Sequence, residues 1–145
     1  MSGTIRVAGI QMAPVLAEPK ANLARMLDLL REAAGAGAHL VVFPEACLTG
    51  YSLGPEAEAW AQPLTAPPVQ SLRDVAREHA VHLLIGMMER SELGALHLTQ
   101  LAIGPGGDTA VYRKAHLSPQ EKRIFAPGHV PGLVDMGDVV GGVAL

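Results

Sequence analysis

The chain has 145 residues, enough for one ordinary domain, and 49% of them are hydrophobic, so a sizeable core can form and a disordered tail is excluded. Lys and Arg total 11 against 14 Asp and Glu, a formal net charge of −3 with no block of like charge, which argues against nucleic acid and acidic membrane surfaces as partners. One cysteine excludes an internal disulfide, the start MSGTIRVAGIQMAP lacks a basic region followed by a long apolar run, and no apolar run reaches bilayer length; the expectation is a soluble cytoplasmic protein.

In chain order, Ile5 to Met12 (IRVAGIQM) alternates as a first strand, stopped by Pro14, which has no amide hydrogen for a ladder. From Asn22 to Ala34, Leu23, Met26, Leu27 and Leu30 recur at three- and four-residue steps, while Arg25, Asp28, Arg31 and Glu32 fall mainly elsewhere. That spacing predicts an amphipathic helix, which Gly35 and Gly37 can end. His39 to Phe43 (HLVVF) is a nearly unbroken apolar run, as in a strand covered on both faces. Strand, helix and strand in this order predict a right-handed βαβ crossover.

A loop follows from Pro44 to Pro55, then a short helix at Glu56 to Trp60 and a chain reset at QPLTAPP. A second amphipathic helix spans Val69 to His79, with Val69, Leu72, Val75 and Ala76 on its apolar side, and His82 to Met88 (HLLIGMM) reads as a buried strand. Hairpins then replace crossovers. Ala95 to Ile103 and Thr109 to Tyr112 read as strands joined by a tight turn, GPGGD, at Gly104 to Asp108. Arg113 to Pro131 has no periodicity but many charged, histidine and proline residues, the mark of a functional loop. Strands at Leu133 to Met136 and Val139 to Leu145, turned by Gly137 and Asp138, end the sequence. VVGGVAL is apolar and β-prone with no polar tail, so the expectation is a partial chain stopping inside a core strand.

Two stretches carry candidate chemistry. In VVFPEACLTGY, Glu45 directly follows a hydrophobic strand, and ligand sites form at the carboxyl ends of strands in sheets flanked by helices. Cys47 lies two residues on. The pair reads either as a nucleophile with its base, or as a loop carboxylate beside a small buried hydrophobe. Thr49, Gly50 and Tyr51 shape the turn and line its mouth. In YRKAHLSPQEKRIFAPG, Lys114 sits just past a strand and Glu121 a short loop away. A lysine near two carboxylates keeps its proton and supplies the fixed positive charge that a developing oxyanion requires; the same residues also read as a solvated charged loop. His79 and His82 in EHAVH end a helix and start a strand, so they share no face for zinc. GPGGD lacks a following Lys-Ser or Lys-Thr and is a hairpin turn, not a phosphate loop.

Taken together and in order, IQMAP, FPEACLTGY and YRKAHLSPQEKRIFAPG resemble the nitrilase superfamily of carbon–nitrogen hydrolases, on its amidase and N-carbamoyl amidohydrolase side. The resemblance runs along almost the whole chain. It implies a mixed α/β (α+β) fold, an αββα sandwich, of which residues 1–145 would be the N-terminal portion of a single domain. It implies a Glu-Lys-Cys mechanism in which Glu45 is the base, Lys114 the oxyanion charge and Glu121 a second glutamate, with His116 and Tyr51 lining the substrate pocket. It gives Cys47 no catalytic place. The family's nucleophilic cysteine would come just after Leu145, so these residues alone are expected to be inactive. Also implied are a small-molecule amide substrate, no metal or organic cofactor, and a homo-oligomer. The alternatives are a glutamine-hydrolysing domain that feeds ammonia to a synthetase, and a non-catalytic relative that binds small molecules.

Overall fold

A computed structural model of the chain describes residues 4–137 and 139–145. The first half alternates strand and helix: β1 (Val7–Gly9), α1 (Pro19–Gly35), β2 (Leu40–Val42), α2 (Pro55–Trp60), α3 (Pro67–His79) and β3 (His82–Arg90). The second half is built of hairpins, β4 (Leu96–Ile103) with β5 (Thr109–Arg113) and β6 (Gly132–Asp135) with β7 (Val140–Val143). A single 3-10 turn at Glu121–Arg123 interrupts the long connection between them. Asp138, expected in the last turn, lies outside the described residues.

Each helix begins on a proline, whose fixed φ suits the first turn and whose missing amide hydrogen has no partner there anyway. This is why α1 and α3 start earlier than their apolar spacing suggests. At the end of α1, Gly37 adopts φ 81°, its amide donates to Ala34 and the Ala38 amide donates to Ala33, closing the last turn. β1 is shorter than the expected Ile5 to Met12, although the Ile10 amide still donates to Val42 at 2.8 Å.

The five-stranded sheet has the order β1-β2-β3-β4-β5, with β1, β2 and β3 parallel and β3, β4 and β5 antiparallel. Strand alternation divides β3 between two faces. Leu83, Ile85 and Met87 pack with Leu101 and Ile103 against Met26 and Leu30 of α1 and Val69 and Leu72 of α3. Leu84 faces the other way, with Leu40, Ala102 and Val134. A third apolar cluster, Ala46, Met88, Leu96, Leu98, Leu117 and Phe125, lies beneath the irregular Arg113–Pro131 connection.

The final hairpin departs from the expected buried core strand. Val140 and Leu133 are exposed, and β7 pairs only with β6 in a separate two-stranded sheet. Its consecutive Gly141 and Gly142 supply no side chains on either face.

The topology positions the site. β2 and β3 are parallel, β4 reverses direction and β5 reverses it again, so the carboxyl ends of β2 and β5 emerge on the same side of the sheet. Glu45 leaves one end and Lys114 the other.

Candidate active site

Glu45 is carried by a backbone segment laid onto β3. The Phe43 amide donates to Leu84 at 2.8 Å and the Leu48 amide to Gly86 at 3.1 Å, while the Met88 amide donates to the Thr49 hydroxyl at 2.9 Å. Between these ties the chain turns tightly, with Ala46 in the left-handed region at φ 50°. Gly86 permits the close approach, because a Cβ at that position would fall on the Pro44 carbonyl and the Ala46 amide. Asn22, buried on α1, braces the segment from behind by donating to the carbonyls of Val15 at 2.8 Å and Leu48 at 3.1 Å.

Lys114 follows the last residue of β5 and is held by two backbone bonds, its amide donating to Leu98 at 2.8 Å and its carbonyl accepting from Gly128 at 3.0 Å. Its ammonium donates to Glu121 Oε1 at 2.9 Å and to Glu45 Oε1 at 3.1 Å. Partial burial pulls the lysine pKa down, but the hydrogen bonds and negative field of Glu121 and Glu45 outweigh it, so the ammonium is held above its ordinary value. Lys114 is a cation at neutral pH.

The two glutamates have different surroundings. Glu121 is only 5% exposed, and both its oxygens are taken: Oε1 by Lys114 and by the Tyr51 hydroxyl at 3.1 Å, Oε2 by the Ser118 amide at 2.7 Å. Its own amide donates back to the Ser118 hydroxyl at 3.2 Å, the reciprocal arrangement of a capping box over the 3-10 turn. Desolvation pushes Glu121 up, but the Ser118 amide, Lys114 and Tyr51 together hold it below its ordinary value. Glu45 is 37% exposed, and no described residue donates to its Oε2. One carboxylate is therefore a fixed acceptor and the other keeps an open oxygen.

Tyr51 is thus drawn into the cluster through Glu121; desolvation first, then that carboxylate, raises its pKa. His116 is exposed and makes no hydrogen bond to Glu45, Lys114 or Glu121 among the described residues. Cys47 is fully buried with Sγ 3.4 Å from the Gly86 carbonyl, and burial pushes its thiol up to about 12. It is an inert core residue, not the partner of Glu45.

Ser118 was not singled out from the sequence, although Ser-x-x-Glu at 118–121 is a capping-box pattern and announces a turn that fixes Glu121. Also absent from that reading is a second ionic cluster behind the sheet: Glu89, 1% exposed, accepts from Arg113 Nε at 2.9 Å and Nη2 at 2.5 Å and from the Thr99 hydroxyl at 2.6 Å. No group of three or more His, Cys, Asp or Glu residues arranged to hold a metal occurs among the described residues, and none of their helices is long and apolar enough to cross a membrane. A concavity of about 600 Å³ between Arg90 and Arg123 is walled by neither Glu45, Lys114 nor Glu121, so here chemistry rather than hollowness marks the site.

Known proteins resemble this chain over nearly its whole length. The family model described as carbon-nitrogen hydrolase matches residues 6–143. A nitrilase of Pyrococcus abyssi (strain GE5 / Orsay) is 34% identical over 145 residues, covering 97% of this chain and 55% of its own length. Among solved structures, the amidase of Nesterenkonia sp. AN1 is similar at 25% identity in two forms. An alanine-for-cysteine mutant in complex with butyramide superposes with a TM-score of 0.83, covering 97% of this chain and 55% of that one. A glutamine-for-glutamate mutant, showing Michael addition of acrylamide at the active-site cysteine, gives 0.79, with 92% and 54% covered. The chain spans about half the length of the relatives it matches. The fold is mixed α/β, with a central sheet flanked by helices, as in those structures.

Proposed function

This chain belongs to the carbon-nitrogen hydrolase family, and from that premise we propose that the protein cleaves a non-peptide amide or N-carbamoyl bond through a thioester acyl-enzyme. The observation that carries this reading is the Lys114 ammonium hydrogen-bonded to two carboxylates of unlike surroundings. Residues 1–145 form the N-terminal portion of one carbon–nitrogen hydrolase domain, and the nucleophile is a cysteine just after Leu145.

In this reading Glu45 takes the thiol proton on its open Oε2, and the thiolate attacks the amide carbonyl carbon. The third Nζ–H of Lys114, not engaged by Glu45 or Glu121, stabilises the oxyanion of the tetrahedral intermediate. As the intermediate collapses, the C–N bond breaks and Glu45 returns its proton to the departing ammonia or amine. Glu45 then deprotonates the water that hydrolyses the thioester. Glu121, with no free oxygen, orients Lys114 instead of shuttling protons. Tyr51 and His116 contact the substrate. No metal or organic cofactor takes part, since covalent catalysis divides amide cleavage into two smaller barriers. The protein is cytoplasmic, acts on a small molecule rather than a nucleic acid or membrane, and assembles as a homo-oligomer.

The test is ammonia release from butyramide by the full-length protein and its Lys114→Ala variant. Loss of the oxyanion charge is expected to lower kcat by at least about 10²-fold. Near wild-type turnover by the variant would remove Lys114 from the mechanism.

A further inference from the structure

Arg113 and Lys114 are adjacent cations at the end of β5, and alternation along a strand sends them to opposite faces of the sheet. Lys114 enters the site. Arg113 turns to the helix-bearing side, where it meets Glu89, a buried carboxylate that the proposed chemistry does not use. The contact crosses three strands: Glu89 belongs to β3, the Thr99 hydroxyl that also binds it to β4, and Arg113 to β5, where Thr99 and Arg113 are register partners.

A one-residue slip of β5 would turn every side chain to the other face: in one direction Arg113 would take the place of Lys114 in the site, and in the other Lys114 would take the place of Arg113 against Glu89. The two faces do not want the same cation. Glu89 receives Arg113 through two nitrogens, a planar fork that a lysine cannot reproduce. Glu45 and Glu121 receive Lys114 at a single atom. The Gly128 segment then closes over the end of β5, so near the Arg113 carbonyl that a Cβ on Gly128 would fall on it.

We propose that the Glu89–Arg113–Thr99 brace is a positioning device that selects Lys114 as the cation of the active site and holds its ammonium against Glu45 and Glu121. Glu89 and Arg113 are positioning residues, acting through the register and end of β5. The assignment of what Lys114 does once held there rests on the amidase reading.

The experiment compares wild type, Glu89→Gln and Arg113→Met in the full-length protein, with two readouts: butyramide hydrolysis and the NMR titration of the Lys114 ammonium. Glu89→Gln preserves shape but removes the charge that pairs with the fork. Its kcat is expected to fall by about 10- to 100-fold, the effect of a misplacement near 1 Å, with KM within about twofold of wild type. The Lys114 titration is expected to fall toward that of an ordinary lysine. The charges that raise it are Glu45 and Glu121, so this change on altering Glu89 reports displacement rather than a lost field.

In a Lys114→Ala background, Glu89→Gln should add no further loss, because it acts only through Lys114. If Glu89→Gln does not fold, Arg113→Lys, which keeps the charge without the fork, is read in the same way. An unshifted Lys114 titration, an unchanged kcat, or full additivity with Lys114→Ala would overturn the proposal. Should wild type not turn over butyramide, the functional reading is what fails, and the titration still decides whether the brace positions Lys114.

Discussion

Both oxygens of Glu121 are held by fixed donors in a nearly closed setting, while Glu45 offers an open oxygen toward solvent. Surroundings, not residue type, separate the two roles. Cys47 makes the same point for a thiol: it lies two residues from Glu45 in the sequence, yet the turn at Ala46 sends it into the helix-side core. Only the thiolate reacts with alkylating reagents, and both burial and the raised pKa suppress it. Iodoacetamide at pH 8 is therefore expected to leave Cys47 unmodified in the native protein and to label it fully in denaturant, as peptide mass spectrometry would record. Rapid native labelling would contradict the placement.

The legibility of these residues follows from how local their partners are. Glu45 and Lys114 could be singled out because each lies just past a strand legible in the sequence, and Glu121 lies within the same charged stretch as Lys114. Tyr51 reaches Glu121 across 70 positions, and Arg113 reaches Glu89 across 24, distances over which no spacing rule operates. His116 shares the charged loop but is exposed and hydrogen-bonds to none of Glu45, Lys114 and Glu121 among the described residues, because nearness in an irregular segment does not fix a contact.

Among the elements, α3 and β3 match their expected spans closely, since each carries a long periodic or unbroken apolar pattern. The short edge strand β1 was overestimated: alternation in Ile5 to Met12 outlasts the partner strand, as β2 contributes only Leu40–Val42. The Arg113–Pro131 connection was read as irregular throughout, yet the Ser118–Glu121 box organises a turn within it. β3 is the element on which the site depends most, because Gly86 leaves room for the Pro44–Ala46 backbone to lie against it. Gly86→Ala would force that backbone outward and carry Glu45 with it. The expected result is a stability loss of about 1–3 kcal/mol in thermal or urea unfolding, with reduced amide turnover. An unchanged melting temperature and rate would show that the segment yields without consequence.

At the scale of the whole molecule, two ionic clusters lie on opposite faces of one sheet, and both tie stability to pH. Desolvation opposes ionisation of Glu89, but Arg113 and Thr99 hold it below its ordinary value, as Lys114, Tyr51 and the Ser118 amide do for Glu121. Depressed carboxylates stabilise the fold above their unfolded pKa, and that contribution is lost as pH falls through the folded values. Lys114 is raised, so its contribution is present below the unfolded lysine pKa and is lost as pH climbs through the folded one. Removing one partner of a fully buried pair costs about 3–5 kcal/mol, and less is expected here because the Arg113 side chain is 36% exposed. Urea midpoints are expected to be level near neutrality, to fall below about pH 4 and to fall again above about pH 10. In Glu121→Gln the acid limb should be shallower. An acid limb identical to wild type would mean that Glu121 is not ionised through its bonds to Lys114 and Ser118.

In the proposed mechanism Glu45, not Cys47 or Glu121, is the proton shuttle. The most direct measurement is steady-state release of ammonia from butyramide by the full-length protein with Glu45→Gln, beside wild type. The substitution keeps the side chain's shape and removes the base, so kcat is expected to fall by about 10²- to 10⁴-fold while the unfolding midpoint stays close to wild type. A Glu45→Gln protein that hydrolyses butyramide at the wild-type rate would contradict the account.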